Sequence, residues 1–302
     1  MKPLQKGIMP ACMTIWNSDE TLNEKGMERY LRWVIDKGAN NISVCGSTGE
    51  NIAMTIPEQK EIIKFCVDTI AGEVPVIAGT GHYSTKQTIE VTKYAADCGA
   101  DAALVILPFY LAPHNRAAMN HFREVSKHTD LPLICYNNPN FAGYELSAIE
   151  IDKLYKEGAI AGVKAAQGEV NRIHDLKNVA SDGLWVLYGN DYNAMEAFFA
   201  GADGWLSGLP GIFPKFCMEL YQTCAVKKDV DAGRALWKQI QPFIDYFFTY
   251  YKRDPHWQEI FKYVLKCQGL ENAGLPRMPL GDLNDEEKKK IDRIMQEISP
   301  IL

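Results

Sequence analysis

The sequence predicts an α/β protein, a (β/α)₈ TIM barrel with a C-terminal helical extension. Three observations predict it. Eight short β-rich runs are spread over roughly the first 210 of 302 residues. Amphipathic stretches of helical length separate them, and after about residue 212 the strands stop while the helices continue. The runs are apolar on both faces, as a parallel sheet covered by helices requires. A doubly wound open sheet is the alternative topology.

The strand candidates, in order, are "GIMPACMTIW" (7–16), "NISVC" (41–45), "VPVIAG" (74–79), "DAALVIL" (101–107), "LPLICY" (131–136), "IAGVK" (160–164), "LWVLYG" (184–189) and "GWLSG" (204–208). Between them, 23–38 repeats Met27, Tyr30, Leu31, Val34 and Ile35 at helical spacing. The stretch 84–99 does the same with Thr88, Val91, Tyr94, Ala95 and Cys98. A helix-to-strand connection of the form Gly-Ala-Asp/Asn recurs at Gly38, Gly99 and Gly201, with glycine placed as a helix C-cap. Residues 213–226, 230–250 and 255–268 then read as consecutive helices, and "GLPRMPLGDL" (274–283) connects to a charged last helix. The aromatic cluster Tyr246, Phe247, Phe248, Tyr250 and Tyr251 reads as helix–helix packing rather than a ligand box. The expected division is a barrel with the active site over 1–225 and a helical region over 226–302.

Composition narrows the function classes. A net charge of -6 disfavours a nucleic-acid surface, and no apolar run is long enough to span a bilayer. The N-terminus has no signal-peptide pattern, because proline and polar residues break its apolar run. Eight scattered cysteines, none in a C-x-x-C pair, read as buried, reduced thiols, so the expected setting is cytoplasmic. His114, His121 and His128, seven residues apart, read as a solvated or interfacial stripe of one helix, not a metal site. "VIAGTGHYST" (76–85) imitates a dinucleotide turn with Asp101 at the ribose distance, but Ser84 stands where the third glycine belongs.

Chemistry is concentrated at the carboxyl ends of the strands, which converge on one mouth in a barrel. Ser47 and Thr48 follow the second run, Tyr110 the fourth, Tyr136 ends the fifth, Lys164 ends the sixth, and Gly189 and Asp191 follow the seventh. A lysine in an apolar run has its ammonium form disfavoured by desolvation, and the neutral amine can condense with a carbonyl. Tyrosines nearby can move the protons of that condensation. The Ser47–Thr48 turn offers N–H groups and hydroxyls to a carboxylate. The bland alternatives are a lysine that snorkels to water and an ordinary tight turn.

The motifs "GSTGE" (46–50), "PVIAGTG" (75–81), "LPFY" (107–110), "DLPLICYNNP" (130–139), "GVKAA" (162–166) and "YGND" (188–191) occur in order. Together they resemble the dihydrodipicolinate synthase / N-acetylneuraminate lyase family of class I pyruvate-dependent aldolases, over nearly the whole chain. The resemblance implies that Lys164 forms a covalent imine with pyruvate or a 2-oxo acid, with no metal or organic cofactor. It implies that Tyr136 relays protons and positions the substrate carboxylate. Ser47 and Thr48 would bind that carboxylate, Thr48 also joining the relay. Tyr110 would be passed across a subunit interface within a homotetramer, a dimer of dimers. Phe141, Gly189, Asp191 and Leu206 complete the expected substrate-binding set.

Two departures bear on the substrate. The synthases of this family carry an arginine two residues after the "YNxP" proline, where Phe141 stands, and a phenyl ring cannot grip a carboxylate as arginine does. The sialic-acid lyases place a glutamate where Tyr192 stands and a threonine where Ala166 stands. Phe141, Tyr192 and Trp205 would make the distal pocket apolar. A lyase or dehydratase for a 2-keto-3-deoxy type acid is the expectation. Dihydrodipicolinate synthase proper, N-acetylneuraminate lyase and a hydroxyproline-pathway pyrroline-carboxylate deaminase are alternatives. A barrel that binds a 2-oxo acid without turnover is the alternative from another class.

Overall fold

The computed structural model describes residues 1–250 and 254–302, apart from the side chain of Tyr250. Eight parallel strands form the barrel: β1 (Gly7–Pro10), β2 (Ile42–Val44), β3 (Val76–Gly79), β4 (Ala102–Ile106), β5 (Leu133–Asn137), β6 (Gly162–Ala165), β7 (Trp185–Tyr188) and β8 (Gly204–Ser207). From β2 to β8 each strand pairs with its sequence neighbours, and β1 pairs with β8. A parallel bridge between Ala11 and Ser43, with Cys12 N–H donating to the Ser43 carbonyl at 2.8 Å, joins the remaining edges. The first run is therefore a short strand with an irregular continuation, since Pro10 removes a ladder donor.

Helices cover the outside: α1 (Glu24–Asp36), α2 (Ile56–Ile70), α3 (Thr85–Cys98), α4 (Asn115–Ser126), the one-turn α5 (Pro139–Ala142), α6 (Ala148–Lys156), α7 (Asn171–Val179) and α8 (Ala194–Phe199). After β8 come α9 (Leu209–Ile212), α10 (Pro214–Tyr221), α11 (Val230–Tyr250), α12 (Trp257–Cys267) and α13 (Asp285–Glu297). Capping boxes start α2 (Thr55 with Glu58), α6 (Ser147 with Glu150) and α13 (Asn284 with Glu287). No helix among the described residues is long and apolar enough to cross a membrane.

Alternation along the strands splits the core in two. Val163 and Ala165 face the helices, whereas Tyr136, Ala166, Leu187 and Leu206 belong to the cluster that fills the barrel interior. The Gly-Ala-Asp connections have a physical reason beyond the helix cap. Asp101 N–H donates to the Val76 carbonyl at 2.8 Å while its carboxylate accepts from Val76 N–H at 2.9 Å. Asp203 does the same with Val186, at 2.8 and 3.0 Å. Each aspartate thus fastens its own strand to the preceding one, so Asp101 is a strand clip rather than a ribose ligand. Gly79 is required by close approach, because a Cβ there would lie 2.1 Å from the Cys45 carbonyl oxygen.

Two expectations change. His121 is buried rather than solvated, its Nδ1 paired with the Thr85 hydroxyl at 2.9 Å, and burial pushes its pKa down to about 4. No group of three His, Cys, Asp or Glu side chains is placed to hold a metal among the described residues. Six of the cysteines are buried, but Cys98 is half-buried and Cys267 exposed. Of the aromatic cluster, Tyr251 and the side chain of Tyr250 lie outside the described residues.

Candidate active site

The site is built by strand register. Tyr136 on β5 and Lys164 on β6 are direct register partners, and parallel pairing turns both side chains to the same, inner face. The Lys164 ammonium lies over the Tyr136 ring, 4.0 Å from its centroid. Lys164 is buried, and desolvation lowers its pKa to about 7 against the opposing pull of the Asp191 carboxylate.

Asp191 is the matching anion. Burial raises its pKa to about 6, while hydrogen bonds from Ser207 and the Leu209 N–H (3.2 Å) and the charge of Lys164 hold the rise in check. Burial therefore moves both groups of this pair toward neutrality. The Tyr136 hydroxyl accepts from Asn138 Nδ2 at 3.0 Å, and burial raises the phenol pKa, which keeps its proton in place at neutral pH.

These groups surround one cavity of about 60 Å³ at the carboxyl ends of the strands. That is several times the roughly 10–15 Å³ that one water takes up. Ser47, Thr48, Tyr136, Asn138 and Lys164 line one side; Gly189, Asn190, Asp191 and Ser207 line the next. The backbone N–H groups of Ser47 and Thr48 donate to no protein acceptor among the described residues. Gly189 is a steric necessity, since a Cβ there would stand 2.6 Å from Lys164 Cγ.

The cavity brings together Lys164, Tyr136, Ser47, Thr48, Phe141, Gly189 and Asp191. It leaves out Tyr110, which is 91% exposed at φ +73°, and Leu206. Leu206 is fully buried in the barrel's apolar filling opposite its register partner Met9, so it is a core residue. Trp205 alternates outward and is also fully buried, its indole N–H donating to the Asn190 carbonyl at 2.9 Å. Tyr192 is half-exposed and packs on Phe248, ring centroids 4.6 Å apart. The apolar wall expected from Trp205 and Tyr192 is instead made by Phe141 with Phe247, Phe248, Trp257 and Phe261. Phe247 stacks on Phe261 at 5.2 Å, so the aromatic cluster packs two helices and also lines the cavity. The site is accordingly not confined to residues 1–225. Nothing in local sequence marks Trp257 or Phe261 as site residues; only the fold of α12 over the mouth does.

A parallel barrel with this arrangement at its C-terminal mouth defines a lyase of the class I aldolase type. The chain belongs to the dihydrodipicolinate synthetase family, which it matches over residues 4–298. It is 31% identical over 287 residues to the 4-hydroxy-tetrahydrodipicolinate synthase of Methanosarcina mazei, covering 95% of this chain and 96% of that protein. It is similar in structure to the chloride-inhibited dihydrodipicolinate synthase of Acinetobacter baumannii complexed with pyruvate. That likeness has a TM-score of 0.89 and 31% identity over 98% of this chain and 99% of that one. The Aquifex aeolicus dihydrodipicolinate synthase gives a TM-score of 0.90 at 27% identity, covering 98% and 99%.

Proposed function

We propose that this enzyme holds pyruvate, or a 2-keto-3-deoxy type acid that releases it, as an imine on Lys164. One observation carries the reading: a buried lysine, its pKa lowered to about 7, lies over Tyr136 inside a small cavity with polar groups on one side and aromatic rings on the other. A large fraction of such an amine is neutral at physiological pH and nucleophilic. The pyruvate bound to the Acinetobacter relative supports the ligand class.

The carboxylate of the 2-oxo acid would enter the Ser47–Thr48 turn, where hydroxyls and N–H groups with no protein acceptor among the described residues meet it. Lys164 Nζ attacks the keto carbon, and the carbinolamine loses water with protons passed through Tyr136 and Thr48. The imine then draws electrons as the C3–C4 bond breaks. The C4 hydroxyl gives up its proton, the C4 fragment leaves as an aldehyde, and the enamine is protonated at C3. Hydrolysis of the imine frees pyruvate and regenerates the amine. In a dehydratase the same enamine chemistry would expel a hydroxyl instead. The imine is the electron sink, so the reading requires no metal or organic cofactor. It includes a homotetramer in which Tyr110 completes a neighbour's site, which the exposure of Tyr110 in the single chain supports.

Synthase activity, named for the relatives, is the second reading. Phe141 weighs against it, because it brings a phenyl ring, not a cation, to the cavity wall. Borohydride reduction with pyruvate, followed by intact mass and peptide mapping, tests the imine. The expected result is one pyruvate-derived adduct on Lys164. An adduct that persists in Lys164→Ala sinks the mechanism. Pyruvate release from a panel of 2-oxo acids then separates aldolase from dehydratase, and condensation with aspartate semialdehyde tests the synthase.

A further inference from the structure

The Ser47–Thr48 turn is held from behind by a helix outside the barrel. Gln258, in the first turn of α12, donates its side-chain amide to the Ser47 carbonyl at 3.0 Å, and the Glu50 N–H donates to the same oxygen at 3.1 Å. One helical turn further on, Lys262 faces the same way. It is 1% exposed, and its ammonium donates to the Thr14 and Ala273 carbonyls and faces Glu50 Oε1 at 3.7 Å. Thr14 in turn donates its hydroxyl to the Gly49 carbonyl at 2.7 Å. Glu50, which closes the turn at φ +64°, accepts from the Arg277 N–H at 2.7 Å. The Arg277 guanidinium lies on the Trp16 ring, 3.8 Å from its centroid, and pairs with Glu58 at 2.6 Å.

A buried ammonium is costly unless something fixes it, and here the fixing groups are two carbonyls, Thr14 and Ala273, and the Glu50 carboxylate that closes the turn. The Ser47 carbonyl and the Glu50 carboxylate are engaged from the α12 and Arg277 side, and the Gly49 carbonyl by the hydroxyl of Thr14, whose own carbonyl accepts from Lys262. Their engagement orients the peptide units, and the N–H groups of Ser47 and Thr48 are left without a protein acceptor among the described residues. The same helix puts Trp257 and Phe261 on the cavity wall.

We propose that Gln258 and Lys262 are positioning residues: through Ser47, Thr14 and Glu50 they hold the turn in the form that receives the substrate carboxylate. The helical region after the barrel therefore sets affinity for the acid group of the 2-oxo acid, while the barrel itself supplies the amine. This rests on the reading of the turn as the carboxylate site.

The test compares pyruvate with methyl pyruvate, which has the same keto carbon but no anion. Gln258→Met keeps the side-chain length and removes the donor. It should raise the calorimetric Kd for pyruvate about tenfold, the size expected when one hydrogen bond ordering a charged-ligand site is lost. The borohydride trapping rate with methyl pyruvate should stay within about twofold of wild type. Gln258→Glu, which sets a carboxylate against the Ser47 carbonyl, should weaken pyruvate further. Lys262→Met with Glu50→Gln removes the buried pair without leaving a lone charge, and should reproduce the selective loss. Gln258→Asn, which keeps the amide but shortens its reach, serves if the methionine variant does not fold. Equal losses for both ligands, or none for pyruvate, would overturn the proposal. Pyruvate binding without an adduct on Lys164 would sink only the imine, since calorimetry still judges Gln258. A wild-type protein that binds no pyruvate overturns both readings.

Discussion

Gly189 and Lys164 share one space: a Cβ added to Gly189 would lie 2.6 Å from Lys164 Cγ and 2.8 Å from Cε. The two residues are on neighbouring strand ends, and Gly189 N–H donates to the Ala165 carbonyl at 2.8 Å. The backbone at 189 cannot retreat without breaking that bond. The lysine side chain therefore runs through a slot that only glycine leaves open.

Gly189→Ala should accordingly push Lys164 off its position over Tyr136 and leave the rest of the barrel in place. A misplacement on the ångström scale costs about a hundredfold in rate where reacting groups must be aligned. The expected outcome is a loss of that order in the borohydride trapping rate, with far-UV circular dichroism unchanged. A variant that traps pyruvate at the wild-type rate would show that the slot does not position the amine.

The depressed pKa of Lys164 gives a pH profile with a definite sign. In the proposed mechanism the neutral amine is the nucleophile, so imine formation should rise through about pH 7 and level off above it. Asp191 is the group that opposes the depression. Asp191→Asn should therefore move the midpoint to lower pH, measured as trapping rate against pH at saturating pyruvate. Stability follows by linkage. Between about pH 7 and the ordinary lysine value of 10.5 the unfolded chain binds the extra proton, so this group makes stability rise with pH across that window. Lys164→Met should remove that rise from a denaturation series.

The barrel was legible because strand runs apolar on both faces, helical spacing and the Gly-Ala-Asp connections all pointed one way. The strand ends were legible too, since adjacency in a barrel follows from strand order: Tyr136 and Lys164 meet because β5 and β6 are neighbours. What the sequence concealed was side-chain direction. Leu206 and Trp205 are consecutive and both fully buried, one in the barrel filling and one under the helices, and neither reaches the cavity. It also concealed contacts across more than 200 residues, such as Gln258 with Ser47. Phe247 and Phe248 looked like packing because local spacing cannot say what lies beneath a helix.

His121 has a sequence-invisible consequence for acid stability. Its Nδ1 is paired with Thr85 and its ring is buried, which lowers the pKa from 6.5 to about 4. Between those values the unfolded chain binds a proton that the folded chain does not, so stability falls as pH drops from 6.5 toward 4. The loss attributable to this one group is about 3 kcal/mol at most. His121→Gln should flatten that part of the curve, read as urea midpoint against pH. An unchanged slope in the variant would assign the acid sensitivity elsewhere.

Phe141 offers a direct test of the second substrate. It follows Pro139 in the one-turn helix α5, and its ring reaches the cavity wall while remaining 38% exposed. A longer side chain there has solvent to extend through, so Phe141→Arg can place a guanidinium at the mouth without repacking the core. An arginine at that point would offer two parallel N–H donors to a carboxylate on the incoming aldehyde, which a phenyl ring cannot. It would also remove apolar wall from an uncharged one. Phe141→Arg should therefore raise condensation of pyruvate with aspartate semialdehyde and lower it with an uncharged aldehyde of similar length, shifting their ratio about tenfold or more. Borohydride trapping with pyruvate alone should stay near wild type, because in the proposed reading Lys164 and the Ser47–Thr48 turn, not Phe141, hold the pyruvate. Robust aspartate semialdehyde condensation by the unmodified enzyme would restore the synthase reading and leave Phe141 without a role in selecting the substrate.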